Sequence, residues 1–408
     1  MSTPIAPSRA GWILFTQPRA ILAMVSLAHA VNHAYAALLP LVYPIILNEF
    51  RLSYTDLGVM VGVANAVSGM LQMSFGYLRR FIERRVMLGG GQMLMALGAA
   101  ITGIAGNFPV LFASNLLARV GGSPQHPVGS SILSDQFEAR RRGFALSAHI
   151  SGGNIGTVLV PIIGTLIITS FGWRAALFVF AACAFIVGIT LVLTMDENRN
   201  APATSTNVSH GSRAEIKQIL SNRNIQLLFL ISTIAAGGRG LGVVITYVPL
   251  YLNNVLKIET GYAGILFTLL LVGSVIGPII FGKISDTTGR KPILIATYAA
   301  ATVFTVFFTM LGATDWLLPV TLLLMGIAIY AESPLLQTFL ADSTQGLNRD
   351  LAFGLYFTAA FGIGSFWASA LGWVIDTFGF AMGFYVMAAT YVIAGLLVFP
   401  TREARPAR

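Results

Sequence analysis

Charged side chains are scarce in this chain of 408 residues: only 10% are Asp, Glu, Lys or Arg, whereas 55% are hydrophobic. Soluble domains carry about a quarter charged residues. This shortage excludes a soluble enzyme, a disordered chain and a nucleic-acid-binding domain. Cysteine is almost absent too. Because Cys183 is the single cysteine, no disulfide can form within the chain.

Several motifs of soluble enzymes are also absent. The sequence has no G-x-x-x-x-G-K-[ST], no H-E-x-x-H, no C-x-x-C and no G-x-S-x-G. We therefore expect no enzymatic activity, no ATP-driven transport and no cofactor, which leaves the proton gradient as the energy source.

What the chain does contain is a series of long apolar stretches, each able to cross about 30 Å of hydrocarbon as a helix. They predict an all-α polytopic membrane protein with twelve transmembrane helices. We place these spans at 20–47, 55–78, 86–105, 109–137, 143–170, 173–195, 223–253, 259–282, 291–312, 315–341, 350–376 and 379–399.

The positive charges fall on alternate loops between these spans. Twenty of the 25 Lys and Arg residues lie on one side, and Arg51, Arg174 and Lys257 lie on the other. The remaining two, Arg119 and Arg239, lie within spans. Short loops rich in Lys and Arg stay in the cytoplasm. The split therefore predicts both termini on the cytoplasmic face of the inner (plasma) membrane, and it argues against a nucleic-acid partner.

A polar stretch after the sixth span divides the chain into two halves. We predict a first bundle at 1–195, a cytoplasmic linker at 196–222 with a short surface helix at 213–221, and a second bundle at 223–408. Landmarks recur between the halves. Ser123-Pro124 and Ser333-Pro334 stand 210 positions apart and are expected to break spans 4 and 10. Such repeats place a substrate site at the midplane between the bundles.

The segment Gly282 to Lys291 reads GKISDTTGRK, and it follows the eighth span. This segment and the six-plus-six plan resemble the major facilitator superfamily, whose loop motif is G-x-L-x-D-x-x-G-R-[RK]. The corresponding loop of the first half departs from the motif, because Arg80 stands where the acidic residue belongs. The resemblance implies a transporter that works by alternating access.

A narrower resemblance lies mainly in the first half. The segments SLAHAVN at 26–32, LPLVYP at 39–44, GSPQHP at 122–127 and GGNIG at 152–156 are similar to the fosmidomycin-resistance branch of drug exporters. The chain differs from that branch at His33 and Val128, where the branch has carboxylates. This resemblance implies export of a small molecule.

Two ionisable residues near the middle of spans carry most of the functional information, since buried charges in lipid are costly and tend to be functional. Glu332 is the only acid so placed and is a candidate proton carrier and substrate ligand. Arg239 lies among four glycines and suits a carboxylate, phosphate or phosphonate. An ion pair between the two is the structural alternative.

Polar residues of the first half add to this site. His29 and His33 share a helix face because they are four residues apart. Imidazoles suit proton transfer or anion contact. Their spacing also fits metal ligation, but with no Cys or carboxylate beside the pair we expect no metal. The candidate substrate ligands of this half are Asn32, His33, Gln125, His126 and Asn154.

Proton coupling and gating have their own candidates. Besides Glu332, we assign proton coupling to His33, His126 and Arg119. Arg119 resembles the superfamily's span-4 arginine. The alternative for Arg119 is that its side chain extends (snorkels) toward the membrane interface. A cytoplasmic gate is expected in the motif loop, where a carboxylate can cap a facing helix. The gating candidates are Gly282, Asp286, Gly289, Arg290 and Lys291.

The sequence thus predicts a monomeric, proton-coupled exporter of a small molecule or drug, with an anion as the candidate class. Its partners would be the substrate, protons and the lipid bilayer. Two alternatives stay open at this point: uptake of an organic anion by symport or uniport, and a subunit of a membrane assembly that no longer transports.

Overall fold

The computed structural model describes residues 17–79, 81–137, 139–196, 213–344 and 347–403. This part of the chain forms helices and no β-strand. By length and composition, ten of its helical segments are able to cross a membrane. The prediction of a helical multi-pass membrane protein is therefore confirmed, whereas the number twelve is not.

The helices before the linker follow one another with short connections. They are α1 (Pro18–Phe50), α2 (Tyr54–Leu71), α3 (Phe75–Leu78), α4 (Arg84–Gly103), α5 (Phe108–Gly122), α6 (Gln125–Gln136), α7 (Ala139–Phe171) and α8 (Trp173–Thr194).

The helices that follow include several irregular turns. They are α9 (Arg213–Ser221), α10 (Arg223–Ala235), α11 (Ile245–Leu250), α12 (Thr260–Thr288), α13 (Arg290–Phe308), α14 (Leu317–Ser343), α15 (Arg349–Phe357), α16 (Phe366–Phe378) and α17 (Phe380–Val398). Wide π-helical turns at 240–244, 251–255 and 358–363 continue the spans of α10, α11 and α15.

Two of the twelve predicted spans, the second and the fourth, contain no single helix that is long and apolar enough to cross a membrane. A 3-10 turn separates α2 from α3, which the sequence analysis does not predict. Ser123-Pro124 separates α5 from α6, as the sequence analysis predicts. The predicted break at Ser333-Pro334 is wrong, because α14 continues through Pro334. Membrane helices tolerate such a proline when neighbouring groups satisfy the freed backbone.

The short helix predicted within the linker, at 213–221, is confirmed as α9. It has one buried side chain, Ile219, and otherwise presents half-buried or exposed residues. Most of the predicted linker, residues 197–212 with His210, lies outside the described residues. Arg80, where the first-half loop departs from the motif, also lies outside them.

Small residues let helices of the first half pack backbone to backbone. A Cβ atom on Gly156 of α7 would lie 2.0 Å from the carbonyl oxygen of Ala30 in α1. Such a contact is possible only with glycine, and small residues are typical of helix interfaces in membranes. The glycines of the fifth span therefore join α1 and α7 into one packed pair.

The hydrogen bonds between the two predicted halves lie at one end of the bundle, which we call the outer end because the charge pattern predicts that it faces away from the cytoplasm. Asp376, in the last turn of α16, accepts hydrogen bonds from the backbone N–H groups of Tyr54 (2.9 Å) and Thr55 (2.7 Å) at the start of α2. Asn254 donates to the Tyr54 hydroxyl, and Ser369 donates to the carbonyl of Gly58. Among described residues, each hydrogen bond between the halves involves the first two turns of α2.

The opposite end carries matching ion pairs in the two halves. Arg84 binds Asp135 at 2.5 Å, and Arg290 binds Asp342 at 3.4 Å. The two arginines are 206 positions apart and the two aspartates 207. This offset is close to the spacing of the landmarks seen in the sequence, and it supports an origin of the halves by duplication.

Candidate substrate and proton site

Four histidines form a cluster inside the first half. His29 and His33 project from α1, His126 from α6 and His149 from α7. The ring centroid of His29 lies 4.4 Å from that of His33, 4.9 Å from that of His126 and 4.2 Å from that of His149. His29 and His149 are buried, His33 is half-buried and His126 is exposed. The cluster therefore reaches from the helix interfaces to an accessible surface, and we call it the histidine cluster.

Hydrogen bonds orient two of these rings. The Nδ1 atom of His29 donates to the carbonyl oxygen of His149 at 2.9 Å, so this nitrogen carries a hydrogen. The Nδ1 atom of His33 lies 3.0 Å from the hydroxyl of Thr157. The two Nε2 atoms then face each other at 3.0 Å. In neutral His29 the Nε2 atom has no hydrogen, so any hydrogen between the pair must come from His33.

Glycine makes room for one of the rings. A Cβ atom on Gly153 would lie 2.9 Å from Cε1 of His29. Any side chain at this position would collide with the ring and displace it. The glycine-rich segment of the fifth span therefore allows α7 to pack closely against α1, and it also leaves room for the ring of His29.

Two of the predicted substrate ligands bind neighbouring helices instead. Asn32 donates to the carbonyl of Gly122 at 3.2 Å. Gln125 is 1% exposed and accepts a hydrogen bond from Gln92 at 3.0 Å. Gln92 also donates to the carbonyl of Ala28 at 2.7 Å. These amides hold α1, α4 and the junction of α5 with α6 together, and this conformation leaves Gln125 little exposed surface for a substrate.

Arg119 and Asn154 are half-buried near this cluster. Within the described part of the chain, Arg119 makes no hydrogen bond or ion pair. Its charge is within electrostatic range of His33, Tyr35 and Tyr43. A cation inside a membrane span normally has a partner. Arg119 therefore has an unused capacity to bind an anion.

The second half has a separate buried cluster around Arg239. The span of α10 breaks here, with a 3-10 turn at 236–238, an extended residue 239 and a π-helical turn after it. The guanidinium donates to the carbonyls of Ala360 (2.8 Å) and Ser232 (2.7 Å). It also lies 5.3 Å from the ring centre of Phe361. Backbone oxygens and an aromatic face thus hold the cation in place.

Glu332 of α14 completes this cluster. Its carboxylate lies 3.6 Å from the Arg239 guanidinium and 3.4 Å from the hydroxyl of Tyr298, and both charged side chains are almost fully buried. The ion pair that the sequence left as the structural alternative is therefore present. Among the described residues, the groups that hydrogen-bond this pair come from Ser232, Tyr298 and the backbone of the π-helical turn after α15.

The structure brings the predicted site residues together as two clusters, one in each half. Between described residues, no hydrogen bond or ion pair joins the histidine cluster or Arg119 to the Arg239–Glu332 pair. A single midplane site shared by the two halves stays a prediction. Sequence reasoning missed Thr157. A threonine in a glycine-rich helix gives no sign that its hydroxyl contacts a histidine on α1.

The predicted gating residues lie at the end opposite to Tyr54 and Asp376. Asp286 binds Arg290 at 2.5 Å. Glu403 accepts hydrogen bonds from the backbone N–H groups of Arg290 and Lys291. Glu403, which sequence reasoning missed, therefore caps α13. Among the described residues, no backbone N–H of a facing helix donates a hydrogen bond to Asp286.

The two glycines of the motif loop have different surroundings. Gly289 has φ +97° and lies close to the Glu403 carboxylate, so it connects α12 to α13 in a conformation that L side chains rarely adopt. Around Gly282 of α12, no neighbouring atom lies within 4 Å of the position that a Cβ atom would occupy. Only the first of the two glycines is therefore required by the local backbone.

The sequence matches a known protein family. The family model of the Major Facilitator Superfamily matches residues 25–264 and 228–408. The chain belongs to the major facilitator superfamily. Its members are transporters, so the expectation that this protein is not an enzyme is confirmed.

Individual relatives support the narrower resemblance. The fosmidomycin resistance protein of Escherichia coli (strain K12) is 24% identical over 399 residues, which cover 97% of this chain and 96% of the relative. The multidrug resistance protein MdtG of Enterobacter lignolyticus is 26% identical over 69% of this chain and 67% of its own length. The resemblance to the fosmidomycin-resistance branch, seen in the first half, thus extends over nearly the whole chain.

A solved structure has the same fold. The crystal structure of a D-xylose-proton symporter superposes with a TM-score of 0.76 at 15% identity, over 95% of this chain and 99% of the symporter. At this identity the likeness concerns the fold alone.

Proposed function

We propose that this protein is a proton-coupled exporter of a small anionic molecule, acting as a monomer in the inner membrane with both termini in the cytoplasm. The observation that carries the proposal is Arg119, a half-buried cation within a membrane-spanning region and without a partner among the described residues. A bound anion supplies the missing charge. Arg119 has five N–H donors, which suit the planar oxygens of a carboxylate or the oxygens of a phosphonate.

Proton coupling is assigned to the histidine cluster and to Glu332. His33 is in hydrogen-bond contact with His29 and within electrostatic range of Arg119, so a further proton on the His29–His33 pair changes the charge beside the substrate. Glu332 forms an ion pair with Arg239 when it is ionised and loses that pair when it is protonated. Either change alters how the helices of one half pack, which is what alternating access requires.

Export is proposed from the names of the relatives. The protein of Escherichia coli is a fosmidomycin resistance protein, and the protein of Enterobacter lignolyticus is a multidrug resistance protein. Both names fit removal of a toxic compound from the cell. We therefore propose that the present chain also exports its substrate, and that it does so as a drug-efflux antiporter that exchanges the substrate for protons.

Transport into everted membrane vesicles tests the proposal. With an imposed proton gradient and a pH-sensitive dye, fosmidomycin and a panel of carboxylates and phosphonates are expected to dissipate the gradient. Arg119→Ala should abolish the signal, and Arg119→Lys should restore part of it because the charge remains. Glu332→Gln should uncouple proton movement, whereas Glu259→Gln, which changes an acid at the start of α12, should not. A panel that leaves the gradient intact, with the protein folded and inserted, would refute export by proton exchange.

Uptake by symport is the second candidate, and the position of Arg119 favours it. A proton on His33 adds a second positive charge within electrostatic range of Arg119, and an anion bound near both cations is attracted by both. A proton and an anionic substrate would then bind together, as symport requires, whereas exchange requires that they compete. Ligand binding at pH 6 and pH 8 separates the two: stronger binding at the lower pH supports symport, and weaker binding supports exchange.

A further inference from the structure

The histidine cluster has the ligand set of a metal site. The ligand nitrogens of His29, His33 and His126 all lie within 4.8 Å of one another. Imidazole nitrogen is a preferred ligand of zinc, copper, nickel and iron ions. Three histidines with an open position are a known arrangement for zinc.

The spacing of the first two ligands already fits a bound ion. The Nε2 atoms of His29 and His33 are 3.0 Å apart. Zinc–nitrogen bonds of about 2.0–2.1 Å separate two ligand nitrogens by roughly 2.8–3.0 Å at a right angle and roughly 3.3–3.4 Å at the tetrahedral angle. His126 is the exposed member of the three, so its ring is free to turn toward the ion without disturbing the packing.

The outer hydrogen bonds fix His29, and allow His33, in the form that binds a metal. His29 donates from Nδ1 to the carbonyl of His149, which leaves Nε2 as a lone pair. The Thr157 hydroxyl can donate to the carbonyl of Gly153, at 3.2 Å, and then accepts from Nδ1 of His33. With that arrangement the Nε2 lone pairs of His29 and His33 face each other. Two lone pairs repel, so the contact is favourable only when a cation lies between them. Metal-binding histidines usually have such a carbonyl or hydroxyl partner on the other nitrogen.

We propose that His29, His33 and His126 bind a divalent first-row transition-metal ion such as Zn²⁺, with Thr157 and the His149 carbonyl as supporting hydrogen-bond acceptors. The remaining coordination position faces the accessible side of the cluster, since His126 is exposed there. This proposal goes beyond the proposed transport function. The ion would occupy the same Nε2 atoms that the transport proposal protonates, so a proton and the ion would compete there, but metal binding is measured without a substrate or a gradient.

Metal binding to the intact, purified protein tests the proposal. The protein should carry an affinity tag without histidine, and the probes are Zn²⁺ and Co²⁺ alone. Equilibrium dialysis with elemental analysis is expected to give one Zn²⁺ per chain. Co²⁺ should develop the strong visible absorption of a four- or five-coordinate site, and Zn²⁺ should remove it.

Variants assign the ligands. His33→Ala and His126→Ala should each weaken Zn²⁺ binding by more than about 100-fold, and Thr157→Val should weaken it about 10–100-fold, the range for outer-shell partners. His210→Ala, which changes the histidine of the linker, should leave binding unchanged. Because His126 is exposed, its alanine variant is expected to keep the melting temperature of the parent.

The proposal would be overturned if the folded parent binds no Zn²⁺, or if His126→Ala binds it as tightly as the parent does. Retention of the Co²⁺ spectrum in His33→Ala would also contradict it. These results bear on the metal site alone, because the proton-exchange measurement in vesicles reports separately on the transport proposal.

Discussion

The carboxylate of Asp376 caps the first turn of α2, more than 300 residues away along the chain, through the backbone N–H groups of Tyr54 and Thr55 and the Thr55 hydroxyl at 2.5 Å. A negative charge at a helix N-terminus satisfies free donors and interacts favourably with the helix dipole. This cap joins the two halves at the outer end, so it stabilises the state in which that end is closed.

Asp376→Asn is expected to loosen the outer end. Loss of a helix cap costs about 1 kcal/mol, which corresponds to roughly a fivefold change in the closed-to-open ratio. The measurement uses a Cys183→Ser background with one cysteine introduced at Ser369, where α16 meets Gly58. Its reaction with a membrane-impermeant maleimide should become several times faster.

Asp315→Asn is the matched control for that experiment. Asp315 also lies near the outer end, but it binds the backbone N–H of Gly312 in its own loop, and no hydrogen bond joins it to a described residue of the first half. Labelling in this variant should equal that of the parent. An equal rate in Asp376→Asn and Asp315→Asn would show that the cap does not hold the halves together.

Arg239 and Glu332 should behave as a coupled pair. Removal of one member of a buried ion pair leaves an uncompensated charge and typically costs about 3–5 kcal/mol. Arg239→Gln and Glu332→Gln are each expected to lower the melting temperature in detergent by several degrees, and the double variant should recover much of the loss. A double-mutant cycle isolates the interaction. If the two losses simply add, the pair contributes nothing as a pair.

The exposed pair Arg174–Glu49 provides the comparison. Its side chains are 42% and 36% exposed, although the atoms are 2.5 Å apart. Exposed ion pairs typically contribute about 0–1 kcal/mol. Replacement of either residue by Gln should therefore change the melting temperature by far less than the buried substitutions do.

Gly156→Ala is expected to destabilise the first half. The added methyl group would meet the backbone of Ala30, which cannot move without separating α1 from α7. Overpacking of this kind costs about 1–3 kcal/mol. The variant should melt at a lower temperature and show weaker Zn²⁺ binding, because α1 and α7 hold His33 and Thr157.

Gly90→Ala is the control for that substitution. Gly90 lies on α4, and no neighbouring atom is within 4 Å of the position that its Cβ would occupy. The variant should melt like the parent. A normal melting temperature for Gly156→Ala as well would mean that the α1–α7 contact is looser than the backbone indicates.

The helical, membrane-spanning character of the chain follows largely from the sequence, because about twenty apolar residues in a row have few alternatives to a membrane-spanning helix. The helix α9 and the break at Pro124 also follow from sequence signals. The continuous helix at Pro334 does not, since the sequence does not show whether neighbouring groups satisfy a backbone carbonyl that proline leaves free. The same difficulty limits any count of spans.

The candidate site is predictable only where partners are close in sequence or of opposite charge. The shared face of His29 and His33 follows from their spacing, and the pair of Arg239 with Glu332 follows from the scarcity of buried charge. The role of Asp376 does not follow, because its partners are backbone N–H groups that every sequence has. A hydrogen bond to the carbonyl of His149 escapes prediction for the same reason.

The break in the helix at Arg239 has a mechanical consequence. A continuous helix moves as a rod, whereas the 3-10 turn, the extended residue and the π-helical turn at 236–244 divide this span into two rods with Arg239 at the joint. The part next to α1 at the outer end can then tilt while the part that begins at Arg223 stays fixed. The outer end of the second half can open by bending at a charged joint, and the whole bundle need not rotate.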